Sequence, residues 1–224
     1  MGIDMLSSII DIESNMEETA TRPRAASISD RIAAQVRALR NDQGMSLEAL
    51  SERCGVSRSM ISLIERGESS PTAIVLEKIA SGLGVPFAVL FDDPAIAESP
   101  LSRREDRTVW RDPQSGYVRR NISPANFPSI IHIVEVILPP GAKIAYENAP
   151  GQNDVHQQIW VQQGRIELTL GETTYRLGED DCLAMKLDER IVFANRTRKP
   201  ARYIVVIASE HSRPASRPHG VSDR

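Results

Sequence analysis

The sequence predicts a two-domain chain, α-helical in its first half and all-β in its second. Three observations carry that expectation. From Ser29 to Phe91 apolar residues recur at helical spacing, as in Ile32, Val36 and Leu39 and again in Leu76, Ile79, Ala80 and Leu83. Beyond Phe91 that period is lost, and short β-rich runs separated by turn residues take over. Between the halves lies DDPAIAESPLSRRED, whose proline, serine and charge read as a linker.

The helical half is organised around SLEALSERCGVSRSMISLIERG, Ser46 to Gly67. Ser46 is a good N-cap, and Leu47 and Leu50 share one face of a short helix that Cys54 and Gly55 close. Ser57 then caps a second helix with Met60, Ile61 and Ile64 at helical spacing. Two short helices joined by a glycine-containing turn make a helix-turn-helix, the second shaped to enter a DNA major groove. ISDRIAAQVRALRNDQG supplies a helix before the motif. Pro71 and Thr72 start another after it, which Gly84, Val85 and Pro86 end, and PFAVLF gives a last apolar turn.

On these pieces, with RxxR at Arg37 to Arg40, SSP at Ser69 to Pro71 and LEKIASGLGVP at Leu76 to Pro86, the region resembles the five-helix, repressor-like domain of the XRE family. The resemblance implies binding to double-stranded operator DNA. It places Arg58 and Ser59 against the bases with Ser62 one turn on, and Ser46, Leu47 and Arg66 nearer the phosphates; Ser57 joins this DNA-binding set as the cap of the reading helix. One such motif spans few base pairs, so a homodimer is expected.

A length of 224 residues gives room for two ordinary domains, and 25% charged against 41% hydrophobic residues is a soluble globular balance. The formal net charge of −3 announces no nucleic-acid partner by itself. Its distribution says more: Arg37, Arg40, Arg53, Arg58 and Arg66 gather around the motif, while acids collect near the N-terminus and at Asp92, Asp93 and Glu98. The two cysteines, Cys54 and Cys182, fall in different domains, so no structural disulfide is expected and a reducing cytoplasm fits. MLSSII is too short to span a membrane, and no Lys or Arg precedes Arg22 as a secretory signal would want. The expected division is a flexible arm over 1–26, the helix-turn-helix domain over 27–92, a linker over 93–107, the β domain over 108–210 and a disordered tail over 211–224.

Strands are expected near Thr108–Arg111, Tyr117–Ile122, Ile130–Leu138, Lys143–Tyr146, Val155–Gln162, Arg165–Leu170, Thr173–Leu177, Cys182–Leu187, Arg190–Ala194 and Arg202–Ala208. Many short strands at even turn spacing argue a sandwich or barrel. PPGAKIAY, QQIWVQQGRIELTLGETTYRLGEDDCLAM and NRTRKPARYIVV resemble a cupin, a small jelly-roll β-barrel, with Gly164, Gly178 and Asn195 at its motif positions. Metal-binding cupins carry three histidines and a glutamate. Here the glutamate position holds Gln157, the first two histidine positions fall within Gly151, Gln152 and Asn153 or one residue earlier, and the last holds Ile191. No metal and no cofactor are therefore expected. A site improvised from His132, His156 and Glu135 is not required by any spacing.

No nucleophile elbow, HExxH helix or P-loop occurs, so no catalytic residue is assigned and the chain is read as a non-enzyme. Alternation puts Gln157, Ile159 and Val161 on one face, and His156, Gln158 and Trp160 on the other; the cupin register turns the first set inward. Tyr146, Gln157, Ile159, Met185 and Phe193 are then the candidate contacts for a small-molecule effector. The resulting expectation is a cytoplasmic, membrane-free transcriptional regulator whose barrel senses that effector. Two alternatives stay open: a dioxygenase- or isomerase-like cupin enzyme tethered to a DNA reader, and an inert cupin that only dimerises it.

Overall fold

Each helix of the N-terminal half begins on a side chain that accepts a hydrogen bond from its own first turn. The computed structural model describes residues 27–92, 99–147 and 155–209. The expected arm, the tail and residues 93–98 and 148–154 lie outside them, and with them Gly151, Gln152 and Asn153. Ser27 caps α1 (Ile28–Asp42) in a reciprocal box with Asp30, Ser46 caps α2 (Leu47–Cys54), Ser57 caps α3 (Arg58–Glu65) and Thr72 caps α4 (Ala73–Leu83). Where a fifth helix is expected, Phe87–Phe91 forms a 3-10 turn instead. Only five residues separate Pro86, which is extended and lacks an N–H, from the extended Asp92, enough for a single tight turn.

Two contacts fix the helices against one another. A Cβ at Gly82 of α4 would come within 2.6 Å of Cys54 Cβ on α2, so glycine alone allows that approach. Glu65, at the end of α3, is 6% exposed and takes a two-pronged bond from Arg40 of α1, Nε to Oε1 at 2.6 Å and Nη2 to Oε2 at 2.8 Å. Arg37 Nη2 donates to the Glu65 carbonyl. The two arginines of the RxxR stretch therefore hold the end of α3 against α1.

Ten strands follow: β1 (Val109–Arg111), β2 (Val118–Asn121), β3 (Ile131–Leu138), β4 (Lys143–Tyr146), β5 (Val155–Gln163), β6 (Ile166–Leu170), β7 (Thr173–Leu177), β8 (Cys182–Lys186), β9 (Ile191–Ala194) and β10 (Ala201–Ser209). They form a six-stranded sheet in the order β1-β2-β3-β10-β5-β8 and a four-stranded sheet in the order β4-β9-β6-β7, every pairing antiparallel. The two sheets face each other as a jelly roll, and this half is a cupin-like barrel. Alternation along β5 works as expected: Ile159 and Val161 are buried, while His156, Gln158 and Trp160 are exposed. Gly164 turns β5 into β6 with φ +81°, and a Cβ there would meet the Pro200 carbonyl at 2.9 Å.

Asn195 closes one corner of the barrel. Its Nδ2 donates to the carbonyls of Leu138 at 2.9 Å and Lys199 at 2.8 Å, and its Oδ1 accepts from Thr197 N at 2.9 Å. The helical head and the barrel then share one hydrophobic cluster. Asp112, buried after β1, accepts from the backbone N–H of Ala73 at 2.8 Å and so caps α4 from the barrel side. Asn121 Nδ2 donates to the Ala88 carbonyl at 3.0 Å, and Trp110 packs on Phe91 with ring centroids 5.4 Å apart.

Because Asn195 is the donor to two backbone carbonyls, Asn195→Ala should cost about 1–3 kcal/mol for each buried group left unpaired. Denaturant unfolding of the full chain measures this; an unchanged midpoint and slope would remove Asn195 from its structural role.

Candidate nucleic-acid interface and barrel cavity

The starts of α2 and α3 lie side by side. Arg58, the first residue of α3, points its guanidinium towards Glu48 of α2, Nε to Oε2 at 3.8 Å, with both side chains about two-thirds exposed. Ser46 and Ser57 accept from Ala49 N and Met60 N, and their carbonyls accept from Leu50 N and Ile61 N; the first two N–H groups of each helix have no intrahelical acceptor. Two adjacent helix N-termini present partial positive charge, a suitable setting for phosphate oxygens. Ser59 is exposed beside Ser57, with their hydroxyls 3.2 Å apart. Ser62, one turn on, accepts from Arg66, whose Nη2 also meets Glu68 at 2.8 Å. Leu47 is half-buried and anchors the start of α2 to the core. Of the clustered arginines, Arg40 is committed to Glu65 inside the head, whereas Arg58 and Arg66 remain at the surface, their acidic partners Glu48 and Glu68 exposed.

The second feature is a cavity of about 120 Å³ in the mouth of the barrel. Its walls come from both halves: Tyr117, Arg119, Tyr146, Gln157, Phe193 and Tyr203 from the barrel, and Glu77, Val85, Pro86 and Phe87 from the head. Of the expected effector contacts, Tyr146, Gln157 and Phe193 line it. Ile159 and Met185 are buried in the sheet packing and are not part of its lining. Arg119, Tyr117, Tyr203, Glu77 and Phe87 went unsuspected in the sequence. Strict alternation through YVRRN would have turned one of its two arginines inward.

The polar groups of this cavity are strongly perturbed. Burial holds the phenols of Tyr117, Tyr146 and Tyr203 above their ordinary range, so all three keep their protons. Burial pulls Arg119 below the usual arginine value. Its guanidinium lies 4.7 Å from the Phe87 ring centroid and 5.4 Å from that of Phe91. Burial pushes Glu77 up to about 7 against the opposing charge of Lys78. Asp92 also rises to about 7 through burial, despite the Asn126 N–H and the charge of Arg119.

Among the described residues of the lining, Glu77 is the one carboxylate that a divalent ion would meet. Gln157 and Ile191 line the cavity where metal-binding cupins place ligands, and a buried guanidinium beside them repels a cation. Among the described residues no cluster of three or more His, Cys, Asp or Glu could hold a metal. Alternation separates the improvised trio: His132 belongs to the inward face of β3, whereas Glu135 is on the outer face with Arg120 and Arg202, and His156 is on the outer face of β5. Among the described residues no helix is long and apolar enough to cross a membrane.

Comparison with known proteins agrees with this architecture. The family described as HTH_3, Helix-turn-helix, matches residues 36–90. The chain is 32% identical over 130 residues to the HTH-type transcriptional regulator SutR of Escherichia coli (strain K12), covering 58% of this chain and 67% of that protein. It is 37% identical over 75 residues to an uncharacterized HTH-type transcriptional regulator of Mycobacterium tuberculosis (strain CDC 1551 / Oshkosh), spanning 33% of this chain and 54% of that one. The crystal structure of an HTH_3 family transcriptional regulator from Vibrio cholerae superposes with a TM-score of 0.67 at 28% identity, over 83% of this chain and 99% of that chain. That coverage extends well beyond the helical head and takes in the barrel.

Glu77 gives the head–barrel seam a pH dependence. An acid whose folded pKa lies above its unfolded value binds more protons when folded, so its contribution to stability falls as pH rises from about 4.5 through about 7. Glu77→Gln should therefore stabilise the protein above about pH 7, with the gain fading towards pH 4.5. Unfolding free energies of both proteins across that range test this; a difference independent of pH would contradict it.

Proposed function

This chain belongs to the XRE-type helix-turn-helix transcriptional regulators, and from that we propose that it binds operator DNA as a homodimer through the opening turn of α3, under control of a small organic effector in the barrel cavity. The observation that carries the effector reading is the shared wall. Glu77 and Phe87 of the head close a cavity whose floor is the barrel, so an occupant touches both. A ligand regulates only by preferring one arrangement over another, and a cavity at the seam between reader and barrel meets that condition. The regulators to which the chain is similar support a non-enzymatic, cytoplasmic role.

At the DNA, Arg58 is the proposed guanine reader, since its fork matches O6 and N7. Engaging a base would require it to leave Glu48, an exposed partner worth little. Ser59 and Ser62 supply shorter contacts on the same face, and Ser46, Leu47, Ser57 and Arg66 approach the backbone. The dimer reading draws on the outer face of the six-stranded sheet. There Ile131 and Trp160 are 45% and 46% exposed, and Ile204 and Val206 lie between them on β10. A contiguous apolar strip on a sheet marks an association surface more often than a solvated one.

Selection of binding sites from random duplexes should return a pseudo-palindrome with half-sites about 34–36 Å apart, or a multiple of that. On that operator, Arg58→Ala should cost ~1–3 kcal/mol and flatten preference at one base pair. Arg66→Ala should weaken all sequences about equally and reduce the salt slope by roughly one. An unchanged base preference in Arg58→Ala would sink the readout assignment. Trp160→Lys should convert the protein to a monomer in sedimentation and lower operator affinity; a dimer that persists would move the interface elsewhere.

A further inference from the structure

We propose that the cavity is an anion site in which Arg119 is the counter-charge for a small organic monocarboxylate with an apolar body. The proposal names the ligand class for the effector cavity described above and rests on that reading.

The argument begins with an imbalance. Arg119 is 6% exposed, and its Nε and Nη2 meet no hydrogen-bond acceptor among the described residues. A guanidinium taken out of water with two donors unpaired is costly, and aromatic faces replace only part of its hydration. The neighbouring acids do not supply the missing partner. Asp112 is committed to Ala73 and Ser115, and Glu135 to Arg120 and Arg202 on the outer face. Asp92 feels the guanidinium but forms no ion pair with it among the described residues.

The geometry of the unpaired donors selects the ligand. Nε–H and Nη2–H project from the same edge of the guanidinium, the side-on fork that matches two carboxylate oxygens. Nearby lie three buried phenols; the Tyr117 and Tyr146 hydroxyls, 3.4 Å apart, share one hydrogen bond, and Tyr117 also bonds the Arg119 guanidinium. The two unpaired guanidinium donors belong to the one arginine of the lining, a setting that suits an anion. The rest of the lining is aliphatic: Val136, Ile144, Val155, Leu187, Ile191 and Ile207. About 120 Å³ is on the order of cavities that admit a benzene-sized molecule. Among the described lining residues a second negative charge has no second cation to meet and would face Glu77, so monoanions are preferred over dianions. Because Phe87 and Phe91 belong to the head, neutralising Arg119 is felt directly at the reader.

The test is calorimetric titration of the full chain with propionate, butyrate, hexanoate and benzoate at up to millimolar concentration, each beside its primary amide. At least one carboxylate should bind and its amide should not. Arg119→Gln should weaken that binding roughly 30-fold or more, the scale of losing one partner of a buried charge pair. Arg119→Lys, which keeps the charge without the side-on fork, should weaken it less, and it serves if the glutamine variant does not fold. The acid-over-amide preference of the wild type needs no variant at all. Equal binding of acid and amide, undiminished binding by Arg119→Gln, or no binding across the series would each overturn the anion site. If carboxylates bind through Arg119 but operator affinity does not change, the anion site stands and the effector reading falls.

Discussion

The rest of the structure depends on the hydrogen bond that Asp112 accepts from the first residue of α4. A carboxylate at a helix N-terminus satisfies an orphan N–H and faces the positive end of the helix dipole. Here the carboxylate comes from the barrel and the helix from the head, so a local capping rule becomes an interdomain joint. Its second oxygen accepts from the Ser115 N–H and hydroxyl in the loop between β1 and β2. The Asn121 bond to Ala88 and the stacking of Arg119 on Phe87 and Phe91 extend the joint along β2. Without this seam the barrel would have an open mouth and the reader would hang on residues 93–107. With it, the cavity has a roof that also carries α2 and α3.

Much of this was legible in the sequence, for reasons that are local. Ser46, Ser57 and Thr72 stand where caps must stand, and the strand boundaries follow from alternation ended by turn residues such as Gly164 and Gly171. The inward set Gln157, Ile159 and Val161 followed from period two alone once the register was set by resemblance. PFAVLF forms the last apolar turn expected of it; the fifth helix implied by the family resemblance is here a single 3-10 turn, because too few residues follow Pro86 for more. Three members of the expected effector set reach the cavity wall. Ile159 and Met185 share the inward orientation of their strands but lie deeper in the packing.

What could not be read was non-local. Arg119 and Arg120 are adjacent, and a four-residue strand does not say which one faces inward; Arg120 pairs with Glu135 outside and Arg119 enters the cavity. Arg40 and Glu65 look like surface charges on amphipathic helices until the packing of α1 on α3 buries them together. Glu77 and Phe87 become cavity residues only through apposition of head and barrel. Each of these depends on a contact between segments far apart in the chain, where periodicity carries no information. They are also the residues that connect the two halves or position α3.

The account's central claim is that head and barrel form one cooperative body, so that the state of the cavity and the posture of the reader are a single equilibrium. Differential scanning calorimetry of the full chain tests it most directly. A single transition whose calorimetric and van't Hoff enthalpies agree is the predicted result. Two resolved transitions, one for the helices and one for the barrel, would contradict it.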